Sequence, residues 1–333
     1  MRALVCNAYG APETLELEER DDPIPDDGEI VVDVAAAGIN FPDILIIAGK
    51  YQDKTPPPFI PGNEASGVIT AIGQNVTRFS LGDEVIVITR GGAFAEKCVA
   101  RENAVVPLPK EINFEQGAGY AVTYGTSFHA LHQCAALQTG ETLLVLGAAG
   151  GVGIAAVEIG KAMGARVIAA ASSEAKLDFT RSAGADETIN YSEQPLKEAV
   201  KELTSGNGVD VVCDPVGGEL AHQAFRALAW HGRHLVIGFT SGDIPEFPAN
   251  IALLKEAMIV GVWWGTWAQK NPQEQLANMQ KLARLITDDK LHPQVTESFS
   301  LDNFAQAFNV ISERRALGKV VLTMPRYSPR TSN

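Results

Sequence analysis

LVLGAAGGVGIAAVEIGKAMGA, residues 144–165, reads as a strand, a glycine-rich turn and a helix. TLLVLG (142–147) has the length and apolar continuity of a buried strand. Gly150, Gly151 and Gly153 let the backbone approach a pyrophosphate and let the helix pack closely on the strand. The helix start supplies N–H groups with no partner in the helix, and the positive end of its dipole. Ala148 stands where the dinucleotide fingerprint has its first glycine, so the strict GxGxxG pattern is broken. A tight strand-to-helix turn without a ligand would look similar. The sequence that follows argues for the ligand.

Downstream the pattern alternates. RVIAAAS (166–172) reads as a strand and EAKLDFTRSAG (174–184) as a helix. ETINY (187–191) is a short strand, followed by the helix PLKEAVKELTSG (195–206). VDVVCDPV (209–216), RHLVIGF (233–239) and MIVGVWW (258–264) are further strands. Continuous apolar runs separated by amphipathic helices predict an α/β fold whose doubly wound parallel sheet is covered on both faces.

Upstream the texture differs. EIVVDVAAAGIN (29–40), ASGVITAIG (65–73), DEVIVITRGG (83–92) and FAEKCVARENAVVPLP (94–109) are β-branched runs punctuated by Gly, Pro and Asp. Residues 1–110 are therefore β-rich, and the pattern turns helical near Phe114. Two helices near 272–290 and 302–314 and the strand KVVLTM (319–324) close the chain. They are too few for a third domain and are expected to pack back onto the first. The nucleotide-binding domain, 121–265, would then be inserted in a β-rich domain made of 1–120 and 266–333.

The 333 residues suit about two domains. A 46% apolar and 20% charged composition can bury sizeable cores. The net charge of −13 argues against nucleic acid or an anionic membrane as a partner. No apolar run is long enough to span a bilayer, and the start of the chain shows no signal-type apolar segment. Cys6, Cys98, Cys134 and Cys213 form no CxxC pair. Reduced thiols and a cytoplasmic location are expected.

The second strand of the alternation decides which dinucleotide fits. NAD sites carry an acid near its end to hold the ribose hydroxyls. Here Ser172 and Ser173 occupy that place, with Lys176 close behind. Glu174 falls in the first helical turn, where an acid is ordinary. Hydroxyls and a lysine without a carboxylate suit the 2′-phosphate of NADP(H).

AAGINFPDILIIAGKY, PGNEASGVITAIG, GAAGGVG, GADETINY, DPVGG, LVIGF and LGKVVL together resemble the medium-chain dehydrogenase/reductase superfamily. Within it they resemble the zinc-independent quinone oxidoreductase branch, and the likeness runs through nearly all of 1–324. It implies a GroES-like catalytic domain around a Rossmann domain, with the active site in the cleft between them. By position, Ala149, Gly150, Gly151 and Val152 would hold the pyrophosphate. Ser172, Ser173, Lys176 and Tyr191 would surround the adenosine 2′-phosphate. Gly217, Gly238, Phe239 and Thr240 would line the ribose and nicotinamide side, and Val262, Trp263 and Trp264 would close over the nicotinamide. Thr123 and Lys319 would also approach the cofactor.

The alcohol dehydrogenases of that superfamily hold a catalytic zinc. The matching positions are Asn40, Asn63 and Ala118, none of them a good zinc ligand. No metal is expected. Glu64 reads more simply as a structural carboxylate than as a base.

His129 and His132 are three apart on a helix, with Cys134 nearby but rotated to another face on a regular 3.6-residue turn. They read as ordinary helix residues rather than as a metal site. Trp263, Trp264 and Trp267 suit either an acceptor pocket or core packing. Tyr51 would line the substrate mouth or decorate its rim.

Without a metal Lewis acid, unactivated ketones are poor substrates. A quinone or enone delocalises the incoming charge onto oxygen, where hydrogen-bond donors suffice. The expected activity is NADPH-dependent reduction of such acceptors, with Asn40, Tyr51 and Thr123 as candidate catalytic contacts. A zinc-type alcohol dehydrogenase and a non-catalytic NADPH-binding protein are the alternatives. IVGVWW at a sheet edge further predicts a homodimer.

Overall fold

A computed structural model describes residues 1–325. The chain divides into two compact units, one of Met1–Val122 with the chain from Pro293, the other of Thr123–His292.

In the first unit the strands are β1 (Arg2–Val5), β2 (Glu16–Glu19), β3 (Glu29–Ile39), β4 (Glu64–Ile72), β5 (Glu84–Ile88), β6 (Lys97–Arg101) and β7 (Val105–Pro107). The short helices α1 (Phe41–Ile47) and α2 (Phe114–Ala118) accompany them. The returning chain adds β14 (Val295–Ser300), α11 (Phe304–Ser312) and β15 (Lys319–Thr323). A sheet runs β14-β15-β3-β4-β5-β7, with β6 also paired to β3. β3 to β7 pair antiparallel in this sheet, and β1 and β2 form a separate antiparallel pair. Leu4, Ile30, Val32, Ile39, Val85, Phe94, Phe308 and Leu322 lie in its core.

Helix α3 (Ala121–Phe128) spans the boundary and leads into the second unit. There β8 (Thr142–Leu146), α4 (Gly151–Ala162), β9 (Arg166–Ala171), α5 (Glu174–Ser182), β10 (Glu187–Asn190), α6 (Leu196–Leu203) and β11 (Val209–Asp214) alternate as expected. They are followed by α7 (Gly218–Arg226), β12 (Leu228–Val236), α8 (Ala249–Lys255) and β13 (Met258–Gly261). The strand order β10-β9-β8-β11-β12-β13, parallel throughout, is the doubly wound Rossmann arrangement. From β8 the chain winds one way to β9 and β10, and from β11 the other way to β12 and β13. The switch point lies between β8 and β11.

The structure corrects the domain boundary after residue 265. Helices α9 (Trp264–Lys270) and α10 (Pro272–Thr287) belong to the second unit. The cause is the apolar face of α10, where Met279, Leu282 and Ile286 are buried. Its polar residues bond there too: Trp264 Nε1 donates to Gln275 Oε1 at 3.0 Å, and Gln133 Nε2 donates to Asn278 Oδ1 at 2.9 Å. Only the chain from Pro293 returns to the first unit. Residues 326–333 of the expected first domain lie outside the described residues.

Candidate functional site

In the second unit the carboxyl ends of the parallel strands bring the predicted cofactor residues together. After β8 the chain turns through Gly147–Gly150, and Gly150 is the N-cap of α4. Gly151, Val152 and Gly153 form the first turn, so their N–H groups have no carbonyl one turn back. A Cβ on Gly153 would lie 2.3 Å from the Gly147 carbonyl oxygen, so only glycine lets α4 sit this close to the turn. Ala148 and Ala149 are buried. The missing first glycine therefore leaves the turn intact.

One strand over, Ser172 and Ser173 follow β9. Lys176 on α5 reaches back, its Nζ 3.2 Å from Ser172 Oγ. Ser173 caps α5 by position without a side-chain cap bond. Tyr191 follows β10, its N–H donating to the Ala171 carbonyl at 3.1 Å. Glu174, the one acid nearby that could favour NAD, accepts from Arg181 at 2.5 Å along the exposed face of α5. A lysine and the Ser172 hydroxyl meet at the end of β9, with Ser173 next in the chain, and the neighbouring carboxylate is engaged elsewhere. These residues and the first turn of α4 fit a dinucleotide with a 2′-phosphate.

Across the switch point, Gly217 follows β11 and Gly238, Phe239 and Thr240 follow β12. The two segments are laced together: Thr240 N donates to Pro215 O at 3.2 Å and Ser241 N to Val216 O at 2.9 Å. Val262 continues the ladder from β13, its N–H bonded to Val236 O, and is buried. Trp263 is exposed, whereas Trp264 is buried with its indole N–H committed to Gln275. Sequence reading put Trp264 at the end of a strand. It starts α9 instead, and its ring is buried beside Gly125.

The first unit holds a buried polar cluster at the positions matched above to zinc ligands. Asn40 is the N-cap of α1, and its backbone N–H donates to Asp43 Oδ2 at 2.7 Å. Asn63 Nδ2 donates to Asp43 Oδ1 at 2.7 Å. The ammonium of Lys319 reaches Ile39 O (2.8 Å), Asn40 Oδ1 (2.6 Å) and Glu64 Oε1 (2.7 Å). Glu64 also accepts from Asn40 Nδ2 at 2.9 Å and from Val122 N at 2.8 Å. Asp43 and Glu64 are fully buried, Lys319 is 4% exposed and Asn40 7%. Burial pushes the Asp43 carboxyl up to about 7, against the lowering effect of the Asn40 N–H. Glu64 is thus a structural carboxylate, paired with a cation.

Two of the predicted site residues are engaged inside the first unit. Lys319, placed near the cofactor by resemblance, has its three N–H donors engaged inside the first unit. Asn40 spends its amide on Glu64, Gly38 O and Lys319, so it links the cluster internally. Thr123 is buried in α3, and Tyr51 is half-buried after α1. The lysine–glutamate pair was missed because its members are 255 positions apart and meet only through the β15–β3 and β3–β4 ladders.

Residues His129–Cys134 form a π-helical turn with the bond Ala135 N to Ala130 O. The wider turn brings residues five apart onto one face, so Cys134 Sγ lies 3.4 Å from His129 Nε2 instead of on another face. His129 stacks on Trp267 at 4.1 Å. Burial lowers the His129 pKa and raises that of the Cys134 thiol, which disfavours the charged form of each. Among the described residues, no group of three or more His, Cys, Asp or Glu could hold a metal ion. Nor is any helix among them long and apolar enough to cross a membrane.

Known proteins agree with this architecture. Residues 26–110 match the family model "Alcohol dehydrogenase GroES-like domain" and residues 151–283 match "Zinc-binding dehydrogenase". A quinone oxidoreductase-like protein 2 homolog from Nematostella vectensis is 40% identical over 324 residues, 96% of this chain and 88% of that protein. The chain belongs to the quinone oxidoreductase branch of the medium-chain dehydrogenases/reductases. In that family of oxidoreductases, a solved Pseudomonas syringae quinone oxidoreductase is 31% identical, covers 97% of this chain and 99% of its own, and superimposes with a TM-score of 0.90. Escherichia coli quinone oxidoreductase, solved in complex with NADPH, is 27% identical over 97% of this chain and 100% of its own, with a TM-score of 0.90. The GroES-like domain with an inserted Rossmann domain is thus the fold expected from the sequence.

Proposed function

We propose that the chain is an NADPH-dependent oxidoreductase that reduces quinones or α,β-unsaturated carbonyls without a metal. The observation that carries this reading is the buried cluster of the first unit. A cation is already present there, as the Lys319 ammonium paired with Glu64, among amides and the Asp43 carboxyl rather than thiolates and imidazoles. That donor set is poor for zinc, although one matching family model is named for zinc binding.

Bound NADPH would supply the hydride. The first turn of α4 would hold the pyrophosphate through the N–H groups of Gly151, Val152 and Gly153. Lys176 and Ser172 would hold the 2′-phosphate by charge-assisted hydrogen bonds. The laced segments 214–218 and 237–243 would form the wall on the nicotinamide side. A conjugated acceptor spreads the arriving charge onto its oxygen, so hydroxyl or water donors suffice and a Lewis acid is not needed. The four thiols, none in a disulfide, fit a reducing compartment such as the cytoplasm.

β13 is an edge strand that carries exposed Met258 and Ile259, with exposed Leu253 and Leu254 just before it on α8. An apolar edge needs a cover. We propose a homodimer through this edge, and static light scattering giving a monomer would count against it.

The second reading, a non-catalytic NADPH-binding protein, is favoured by the internal commitment of Asn40 and Lys319. Product analysis separates the two. NADPH consumed one for one with reduced quinone or saturated ketone supports the enzyme, and tight NADPH binding with no product supports the sensor.

A further inference from the structure

Asp214 ends β11 and is 1% exposed; His234, on the neighbouring strand β12, is fully buried. Asp214 Oδ1 accepts two backbone N–H groups, from Val216 and Gly217, both at 2.8 Å. Its Oδ2 lies 2.9 Å from His234 Nε2. Its backbone carbonyl accepts from Ile237 N (2.9 Å) and Gly238 N (3.4 Å). A single residue thus fixes both segments beyond the switch point, the first by its side chain and the second by its carbonyl. The turn it caps takes Gly217 to φ +74° and Gly218 to φ +59°, and Gly218 N closes it onto Asp243 O at 3.1 Å.

The histidine is the unexpected part. Its ring packs against Phe225 and Phe247, at centroid distances of 6.0 and 4.9 Å, the two phenylalanines themselves 5.0 Å apart, and its Nδ1 has no hydrogen-bond partner among the described residues. A carboxylate only accepts, so the bond to Asp214 takes Nε2–H as its donor and leaves Nδ1 buried and unmet. An apolar side chain in this aromatic pocket would avoid that loss. What it would not provide is the Nε2–H. That donor holds the second oxygen of Asp214 and leaves the first aimed at the turn.

We propose that His234 is a positioning residue for the nicotinamide half of the cofactor site. Acting through Asp214, it holds the Val216–Gly218 turn and the Gly238–Thr240 segment in the shape that binds there. The inference rests on the NADPH reading above and deepens it. Neither residue touches the adenosine end, where Ser172 and Lys176 stand.

The test compares NADPH with adenosine 2′,5′-bisphosphate, which carries only the adenosine end. His234→Phe fills the pocket and deletes the donor; His234→Gln restores an N–H that can reach Asp214. In the full chain, His234→Phe should weaken NADPH binding about tenfold, the loss of one charge-assisted bond. KM for NADPH should rise with it, while bisphosphate affinity stays within about twofold. His234→Gln should recover most of the loss. If His234→Phe does not fold, His234→Leu removes the same donor and is read in the same way. NADPH binding unchanged in the donor-less variant overturns the inference and leaves the NADPH reading standing. Parallel loss of both ligands, unrelieved by glutamine, also overturns it, because the histidine would then be only a core residue. An unaltered protein that binds neither ligand overturns the NADPH reading, and the inference with it.

Discussion

Lys319→Met should be among the most destabilising single changes in the first unit. The ammonium makes three bonds of 2.6–2.8 Å, to Ile39 O, Asn40 Oδ1 and Glu64 Oε1, and is 4% exposed. Methionine fills much of the volume but leaves Glu64, fully buried, without its cation. Removing one partner of a buried ion pair costs about 3–5 kcal/mol. A domain has only about 5–15 kcal/mol in total, so the change removes a large share of it. Lys319→Met combined with Glu64→Gln removes both charges and keeps an acceptor for Val122 N, so its cost should fall to about 1–2 kcal/mol. Urea unfolding measures both. All four tryptophans lie at 230–267, within the second unit, so their emission serves as an internal control. The circular dichroism transition of the first unit should move to lower urea while the tryptophan midpoint stays. A cost below about 1 kcal/mol for the single variant, or a double variant no more stable than the single, would refute the argument.

Lys176→Ala should weaken NADPH about ten- to a hundredfold and NADH by less than about twofold in fluorescence titrations, and Ser172→Asp should shift the preference the same way. Asp43, held up to about 7 by burial, keeps its proton between pH 4 and 7, where the unfolded chain, at 3.8, gives it up. Its contribution is therefore full below the unfolded value and lost as pH rises through about 7. Wild type should lose up to about 4 kcal/mol relative to Asp43→Asn across that window, read from urea midpoints at each pH.

The second unit was largely legible because its signals are local. A buried strand, a glycine turn and a helix sit within 144–165, and the alternation repeats the unit. The serine–lysine pair at the end of β9 is also local, since Lys176 and Ser172 are one helical turn apart. The first unit was legible only as β-rich. β1 and β2 are short, four residues each, and their pairing is not written in their periodicity. The polar cluster unites residues from four segments, which only the sheet brings together. α10 was misassigned because an amphipathic helix shows that it has an apolar face but not which core covers it. Trp264 and Cys134 were misread for a related reason. Trp264 lies where strand gives way to helix, and Cys134 ends a π turn that a regular 3.6-residue period does not anticipate.

The central claim is hydride transfer from NADPH to a conjugated acceptor in a protein that needs no metal. The most direct test is a single-turnover experiment on protein exhaustively treated with a strong chelator, its zinc content measured on the same sample. Protein loaded with one equivalent of NADPH is mixed rapidly with 1,2-naphthoquinone or an enone, and the nicotinamide absorbance is followed. The account predicts a full single-turnover loss of reduced nicotinamide, at the same rate before and after chelation, with far less than one zinc per chain. No loss of absorbance with any conjugated acceptor, or a loss that appears only when zinc is restored, would contradict it.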